Sequence, residues 1–299
     1  MENIIELLKH TSLNQDNIQI QHICMQGYTY DNLFKLISNG KSYSIKVRNL
    51  NDWNIRESLY CLNIMIDENN FIHTYCEVIK TNNSILLISE WIEGNQPIEK
   101  NREDIKHFFK NLGRFNKTNI CDGPYTSMYL DGIQFSTIDE MVETELNQHL
   151  VYYKGKHSIK DIRRSVLGLC AGIGAIINED MNTGNMIIDN EGNYKILDTE
   201  YLLRGLNLYQ LDHVNFLRTE KSSWSNITNE AKESLYLYFK ELGTNSFDIT
   251  NQLQAYYLMS ELRKLSYLIW KKDKVDFRII DNNIDNLLNE KFVLTTAST

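Results

Sequence analysis

The segment that most constrains the fold of this chain is NEDMNTGNMIIDNEGNYKILDTEY, residues 178–201. Asp180 and Asn185 stand five residues apart, and Asp198 follows thirteen residues later. Glu200 comes two residues after Asp198, and the residues between the amide and these acids read as strand, turn, strand. A hairpin flanked by carboxylate and amide oxygens indicates a site for a metal ion and phosphate groups more than an ordinary surface loop.

Charge and composition argue against nucleic acid as the main partner of this protein. The 299 residues carry a net charge of −8, and no block of Lys and Arg supplies the counterion-release affinity of a DNA binder. Hydrophobic residues make up 42% of the chain, which is ordinary for a globular core and far above the content of a disordered chain. The length allows one large domain or two lobes with a cleft between them.

The cysteines predict a reducing compartment. They are five in number, widely scattered, and form no C-x-x-C pair, so neither a zinc ribbon nor a disulfide framework is indicated. The N-terminal segment MENIIELLKHTSLNQ has early acids and no uninterrupted apolar core, so we expect no signal peptide. No apolar run approaches the length of a membrane-spanning helix. We therefore expect a cytoplasmic protein without a membrane span.

Short strands dominate the sequence from Ile18 to Glu90. The dipeptide Asn39-Gly40 predicts a tight hairpin, because both of its residues tolerate the left-handed conformation that such turns require. Apolar residues recur on one face of the segment 52–66, which predicts a helix. Strands are predicted at 33–37, 43–47, 74–79 and 84–89, and a short amphipathic helix is predicted at the start from Ile4, Ile5, Leu7 and Leu8.

Helical periodicity dominates beyond the break at EWIEGNQP, residues 90–97. The hairpin at 186–197 is the only strand pair that we predict in this half. The fold class is therefore α+β, with a small antiparallel-sheet N-terminal lobe (1–93), a helical C-terminal lobe (94–299) and a ligand cleft at the hinge. Helices are predicted at 102–116, 137–150, 161–169, 228–242 and 251–270. The second of these opens with T-I-D-E, a capping box in which Thr137 is the N-cap.

Two partial matches to phosphate-binding motifs are rejected. NGKS at 39–42 resembles the end of a P-loop, but Lys35 stands where the first glycine belongs, and the motif lies in a hairpin turn. GIG at 172–174 lacks the third glycine of a dinucleotide-binding motif, so we expect these glycines to serve close packing.

The hairpin segment resembles the catalytic loop of the aminoglycoside phosphotransferase and choline kinase superfamily, which has a protein-kinase-like fold. That loop normally reads H-x-D-x-x-x-x-N and is followed by D-x-E, and here the two motifs stand as N-E-D-M-N-T-G-N and D-T-E. The continuation DTEY…NLYQLDHVNF is similar to the choline-kinase type. The chain departs from the pattern at Asn178, where the family has a histidine that braces the loop.

The resemblance implies roles for four polar residues of this segment. Phosphoryl transfer depends mainly on positioning and on charge stabilisation, so few protein groups are needed. Asp180 is expected to orient or deprotonate the acceptor hydroxyl, and Asn185 and Asp198 are expected to hold Mg²⁺. Glu200 is a further candidate for contact with the metal or the substrate. Taken by residue spacing alone, the same pattern also fits a polar turn between strands.

The resemblance extends into the N-terminal lobe through Lys46. This lysine ends an alternating strand, YSIKVRN, where the superfamily places the lysine that contacts the phosphates. Glu57 follows eleven residues later on the predicted helix, and we expect it to pair with Lys46. A solvated lysine at a strand end is the alternative.

Two further segments resemble nucleotide-binding parts of the superfamily. MQGYTYDNLFKL resembles the turn that covers the nucleotide, with Gly27, Thr29 and Asn32 as its candidate contacts. ISEWIEG resembles the hinge strand that binds adenine through backbone groups, here those of Glu90 and Ile92. An ordinary turn and an ordinary strand end are the alternatives.

The acceptor site is expected in the helical insert at 95–160 and in the last third of the chain. Acidic residues of one helix are candidates for a wall that attracts a cation, although a solvated helix face is the simpler interpretation. Aromatic residues are candidates for a cage around a quaternary amine, although aromatic core packing is the simpler interpretation. These candidates are the acids Asp139, Glu140, Glu143 and Glu145, and the aromatics Tyr201, Tyr209, Trp224, Tyr256, Tyr257 and Trp270.

The resemblance therefore predicts a small-molecule kinase that uses ATP or GTP with Mg²⁺ and phosphorylates the hydroxyl of an aminoglycoside-, choline- or sugar-like acceptor. The alternative is a kinase-fold pseudoenzyme with a binding or structural role, as in spore-coat-associated relatives. A protein kinase is disfavoured because D-T-E replaces D-F-G and no A-P-E-like anchor follows Asp198.

Overall fold

The computed structural model describes residues 8–9, 11–13, 18–22, 33–95, 102–181, 183–211, 229–244 and 246–289. The expected helix at 4–8 lies outside these residues except for Leu8, and the nucleotide-covering turn at 25–32 lies outside them entirely.

An antiparallel sheet of five strands forms the N-terminal lobe, in the order β1-β2-β3-β5-β4. The hairpin predicted at Asn39-Gly40 is confirmed, with φ of 52° and 75° at the two turn residues, which is the geometry that residues without a bulky side chain accept most readily. The strands are β1 (Gln19–His22), β2 (Leu33–Ser38), β3 (Lys41–Asn49), β4 (Glu77–Lys80) and β5 (Ser84–Glu90).

The two faces of this sheet bury different partners, because side chains alternate along each strand. Leu36, Ile45 and Ile88 form one apolar cluster together with Leu8 from the N-terminal segment. The opposite face packs Ile85 and other residues against helix α1 (Trp53–Ile64). Helix α1 therefore lies over the face of β3 that carries Lys46.

A short link joins the sheet to the rest of the chain. Strand β6 (Gly94–Asn95) pairs antiparallel with β8 (Met186–Asp189), which forms the predicted hairpin with β9 (Tyr194–Ile196). Gly94 is required at this position, because an added Cβ would lie 2.2 Å from the carbonyl oxygen of Ile188.

The expectation that this hairpin is the only strand pair in the second half was wrong. Strand β7 (Gly174–Asn178) pairs antiparallel with β10 (Leu202–Leu206). Every residue of both strands is buried, so neither strand shows the apolar–polar alternation that marks a half-buried strand in a sequence.

Helices make up most of the described C-terminal lobe, and each predicted helix in it is present. The N-terminus of the helix Ile138–Leu150 is capped as predicted, since Thr137 Oγ1 accepts from the backbone N–H of Glu140 at 3.2 Å. The final helix was not predicted. The helices are α2 (Arg102–Thr118), α3 (Ile138–Leu150), α4 (Ile159–Val166), α5 (Asn229–Leu242), α6 (Ser246–Trp270) and α7 (Phe277–Asn289).

The glycines at 172–174 serve close packing, as expected. A Cβ on Gly174 would lie 2.3 Å from the ring of Tyr125, and one on Gly172 would lie 2.4 Å from Leu206. Both contacts are well inside the closest approach that carbon atoms tolerate. The glycines therefore bring β7 against its neighbours immediately before the polar segment.

The observed architecture is the predicted one, a small antiparallel-sheet lobe followed by a helical lobe that carries the hairpin. The boundary between residues 93 and 94 stays a prediction. Among the residues that the structure describes, no helix combines the length and the apolar character needed to cross a bilayer.

Candidate functional site

The predicted catalytic loop begins where β7 ends and returns to the hairpin through a turn at 183–185. Asn185 Nδ2 donates to the backbone oxygen of Asp180 at 2.9 Å and to its carboxylate Oδ2 at 3.0 Å. The backbone N–H of Leu197 donates to the carbonyl of Asn185 at 2.8 Å, which ties the loop to the strand that leads to Asp198. The structure therefore brings Asp180, Asn185 and Asp198 together.

Asn178 braces this loop in place of the histidine that the resemblance leads one to expect. Its Nδ2 donates to the backbone oxygen of Asp198 at 2.5 Å, and its Oδ1 accepts from the backbone N–H of Asp180 at 3.0 Å. The side chain is almost completely buried, at 1% exposure. One amide thus fixes the two acids relative to each other, because it can donate and accept at the same time.

The cationic side of the site comes from β3. Lys46 Nζ lies 3.0 Å from Asp198 Oδ1 and 3.1 Å from Glu200 Oε1. Arg48 Nε donates to Glu200 Oε2 at 2.6 Å. Two acids and two bases thus alternate in one chain of contacts that joins β3 to the segment after the hairpin.

Arg48 was missed in the sequence, although the signal was present. Residues two apart on a strand share a face, so the assignment of Lys46 to the site also places Arg48 there. Their partners across the sheet, Leu87 and Ile85, are both buried on the side of α1.

The pKa values of the two bases reflect these contacts. Burial lowers the pKa of the Lys46 ammonium, but attraction to Asp198 and Glu200 outweighs burial, and the pKa is raised. For Arg48, burial likewise acts against the charged form, and the hydrogen bond to Glu200 outweighs it and raises the pKa. Both side chains therefore remain cationic throughout the physiological range.

The expected pair between Lys46 and Glu57 is not formed, and this prediction was wrong. Glu57 on α1 accepts instead from Arg204 on β10, at 2.7 Å from Nε to Oε1 and at 3.1 Å from Nη2 to Oε2. The side chains of both residues are only 8% exposed. Arg204 also lies over the ring of Tyr60, at 4.4 Å from its centroid. Sequence spacing could not reveal this partner, which is 147 residues away.

Glu179, in the loop, is a second residue that the sequence did not identify. It lies between Asn178 and Asp180 and is fully buried. Its Oε2 accepts from Ser127 Oγ at 3.3 Å and from the backbone N–H of Met128. These contacts anchor the predicted catalytic loop to the start of the short helical turn at 128–130. A lone Glu between two candidate site residues carries no sequence signal for such a role.

The candidate adenine-binding residues lie on the link between the lobes. Glu90 ends β5, and Ile92 lies between β5 and β6. The backbone oxygen of Glu90 accepts from His73 Nε2 at 2.8 Å. Contact of these backbone groups with a nucleotide stays a prediction. Gly27, Thr29 and Asn32 lie outside the described residues.

The candidate acidic wall on α3 is incomplete, because Glu145 is fully buried and takes no part in a surface. Glu145 Oε1 lies 2.5 Å from Arg263 Nε and 3.5 Å from His149 Nε2. Burial raises the pKa of the Glu145 carboxyl, but Arg263 and His149 outweigh this and bring the pKa from its ordinary 4.5 to about 2. The other three acids, Asp139, Glu140 and Glu143, are exposed.

Three of the six aromatic candidates belong to the core. Tyr209, Tyr256 and Tyr257 are buried at 0%, 3% and 7% exposure, which favours packing over a ligand cage. Trp270 is 76% exposed at the end of α6. Tyr201 is the one that remains near the site. Burial raises the pKa of its phenol, and the nearby Asp180, Glu200 and Asp198 raise it further. Trp224 lies outside the described residues.

The donor atoms at the site suit Mg²⁺. No cluster of three or more His, Cys, Asp or Glu side chains in the described part of the chain is arranged to hold a metal ion. Asn185 commits its Nδ2 to Asp180, which leaves the amide oxygen as a donor to a cation. With Asp198, this gives one amide and one carboxylate oxygen. Such a set would be sufficient to hold Mg²⁺, because this ion takes few protein ligands and the rest from phosphate groups and waters.

Comparison with solved structures identifies proteins of the same fold. Aminoglycoside phosphotransferase APH(4)-Ia is 13% identical, with 96% of each chain covered and a TM-score of 0.60. Choline kinase LicA from Streptococcus pneumoniae is 11% identical, with 97% of this chain and 99% of that chain covered and a TM-score of 0.59.

A third similar structure is macrolide 2′-phosphotransferase MphH from Brachybacterium faecium. It is 10% identical, with 98% of this chain and all of that chain covered and a TM-score of 0.57. The chain has the fold of these phosphotransferases. No family model and no curated protein matches the sequence.

Proposed function

We propose that this protein is a phosphotransferase that moves the terminal phosphoryl group of ATP or GTP to a hydroxyl of a small molecule. The observation that carries the proposal is that Lys46 contacts Asp198, while Asp180 and Asn185 are hydrogen-bonded to each other and tied to the segment that leads to Asp198. The hydroxyl acceptor belongs to the aminoglycoside-, choline- or sugar-like classes. The fold supports this choice, since small-molecule phosphotransferases share it across almost the whole chain.

Asp180 is proposed to accept the proton of the acceptor hydroxyl. Its carboxylate is half-buried and held through Oδ2 by Asn185. A carboxylate that orients the attacking hydroxyl contributes by positioning, because catalysis of phosphoryl transfer depends mainly on positioning and on electrostatic stabilisation.

Lys46 is proposed to bind the nucleotide phosphates. It is the residue on β3 whose ammonium contacts both Asp198 and Glu200 of the opposite lobe. Asn185 and Asp198 would hold Mg²⁺, which supplies positive charge to the phosphate oxygens. The backbone groups of Glu90 and Ile92, with Gly27 and Thr29, are proposed to contact the rest of the nucleotide.

Thermal unfolding with and without Mg-ATP tests the nucleotide site. A ligand at about a hundred times its dissociation constant stabilises the folded state by roughly 2.7 kcal/mol. We expect the wild type to gain stability and Asp198→Asn to lose most of this gain. Asp273→Asn is the matched control, since Asp273 is exposed after α6 and the same change of charge should leave the gain intact.

Turnover is tested by release of ADP with a panel of hydroxylated acceptors that includes choline, an aminoglycoside, a macrolide and a simple sugar. Release that depends on the acceptor and is abolished by Asp180→Asn supports the proposal. A folded wild type that gains no stability from ATP or GTP contradicts it.

The alternative function is a kinase-fold protein that binds without turnover. The specific observation in its favour is Asn178, where the family has a histidine. Against it, Asn178 makes both of the hydrogen bonds that brace the loop. Stabilisation by Mg-ATP without release of ADP for any acceptor would favour this alternative.

A further inference from the structure

Glu57 is not the partner of Lys46, because its carboxylate is fully engaged elsewhere. Both of its oxygens accept from the guanidinium of Arg204. To reach Lys46, Glu57 would have to leave a buried guanidinium without a counter-charge, and such a charge is costly to leave unpaired.

The next residue of α1 reinforces this anchoring. Ser58 Oγ donates to the backbone oxygen of Thr199 at 2.5 Å, and Ser58 is 1% exposed. Two consecutive residues of α1 are therefore attached to the strand and turn that follow the hairpin. Helix α1 is fixed to the C-terminal lobe, although the chain places it between strands of the N-terminal sheet.

Glu200, in the turn between β9 and β10, is the second carboxylate that contacts Lys46, besides that of Asp198. It is 6% exposed, and each of its oxygens faces one base of β3, Oε1 toward Lys46 and Oε2 toward Arg48. Because the two bases share one face of the strand, Glu200 cannot rotate away from one without losing the other. Thr199, between Glu200 and Asp198, is held by its hydroxyl to Tyr75 at 3.0 Å, which fixes the backbone from which Glu200 projects.

We propose that Glu200, and not Glu57, is the residue that positions Lys46 for the nucleotide phosphates, and that Arg48 holds Glu200 in place for this task. Glu57 and Arg204 form a separate strut between α1 and β10. When Asp198 serves a metal ion, Glu200 remains as the counter-charge of Lys46. The claim that Lys46 is positioned for nucleotide phosphates rests on the proposed function. The ion pair between Lys46 and Glu200 does not, because it is present in the protein without nucleotide.

Double-mutant cycles on thermal unfolding test the pairing without any nucleotide. For Lys46→Met and Glu200→Gln, the loss of Tm in the double variant should be clearly smaller than the sum of the two single losses. For Lys46→Met and Glu57→Gln, the losses should add. Additivity in the first cycle or coupling in the second overturns the proposal. If Glu57→Gln does not fold, Glu57→Met with Arg204→Met replaces the buried pair by apolar side chains and takes its place.

The positioning role is tested by the dissociation constant of Mg-ATP, with adenosine as the control ligand. Lys46→Met should weaken Mg-ATP by about 10–100-fold, the range for loss of a charged hydrogen bond, and leave adenosine unchanged. The same loss is expected in the Glu57→Gln background. In the Glu200→Gln background, Lys46→Met should cost less than about twofold, because Lys46 is already misplaced.

If Lys46→Met weakens Mg-ATP binding as much in the Glu200→Gln background as in the wild type, the assignment is overturned. Glu200 would then act independently of Lys46, for example on the metal. A loss that disappears in the Glu57→Gln background overturns it as well. If the wild type binds no nucleotide, the proposed function fails, and the unfolding cycles alone decide which carboxylate holds Lys46.

Discussion

Replacing Arg263 by methionine should destabilise the fold severely, because this arginine neutralises a buried carboxylate. Arg263 on α6 and Glu145 on α3 have side chains that are 5% and 0% exposed, and their Nε and Oε1 atoms are 2.5 Å apart. The guanidinium carbon also lies 4.0 Å from the ring centroids of both Tyr129 and Tyr209. The change Arg263→Met keeps much of the side-chain volume and removes the charge.

The expected cost follows from what stays behind. Removing one partner of a buried ion pair costs about 3–5 kcal/mol, because the other charge is left uncompensated. Loss of two desolvated cation–π contacts moves the expectation to the upper part of this range. At about 2 °C per kcal/mol for a chain of this size, the Tm should fall by about 6–10 °C.

Urea unfolding at pH 7 measures this cost. The double variant Arg263→Met with Glu145→Met should recover most of the loss, since apolar side chains often replace a buried ion pair without penalty. Arg278→Met is the matched control. Arg278 also pairs with an acid, Asp276, but its side chain is 89% exposed, so the midpoint should barely change. An Arg263→Met variant as stable as this control would refute the reasoning.

The pH dependence of the same variant gives an independent check. In the wild type, the Glu145 pKa is lowered from 4.5 to about 2. The carboxylate therefore contributes stability that is complete above pH 4.5 and is lost as the pH falls toward 2, about 3 kcal/mol in total. Without Arg263, the largest opposing influence is gone and burial favours the protonated acid. Acidification from pH 7 to 5 should then harm the variant less than the wild type.

Three further predictions concern the loop and its surroundings. Asn178→Ala removes the two hydrogen bonds that join Asp180 to Asp198 and should cost about 1–3 kcal/mol in thermal unfolding. Asn178→Asp should cost more, because it places a carboxylate oxygen against the backbone oxygen of Asp198 and buries an unpaired charge. A loss in Asn178→Asp no larger than that in Asn178→Ala would contradict the bracing role. Glu179→Gln should lower turnover and leave the dissociation constant of the nucleotide unchanged, because Glu179 holds the loop through Ser127 and Met128. Gly174→Ala should cost about 1–3 kcal/mol through the clash with Tyr125, measured by urea unfolding, and an unchanged midpoint would refute the close packing.

Local features of the fold could be predicted from the sequence because their signals are local. The turn at Asn39-Gly40, the cap at Thr137 and the hairpin after Asn185 each depend on residue types within a few positions. The final helix was also readable in principle, since Ile280, Ile284 and Leu287 recur at helical spacing and are all buried. The Asn and Asp residues between them obscured the pattern.

Strands β7 and β10 could not be predicted in the same way. Both faces of each strand are covered, so the residues 174–178 and 202–206 show no alternation that distinguishes them from a loop or a short helix. Arg204 even interrupts the apolar run of β10. Its buried charge is offset by Glu57, which lies on α1, far away in the sequence.

The partners of buried charges were the part of the site that the sequence could not supply. A carboxylate inside a protein takes its role from the cation or hydrogen-bond donor that offsets its desolvation, and that group is rarely close in sequence. Glu57 and Glu145 each face an arginine more than a hundred residues away. Glu200 contacts two bases of β3, Lys46 and Arg48, whereas Glu57 contacts neither of them and pairs with Arg204. The motif locates the acids of the site, and the ion pairs distinguish those that contact Lys46 from those that only join other elements of the fold.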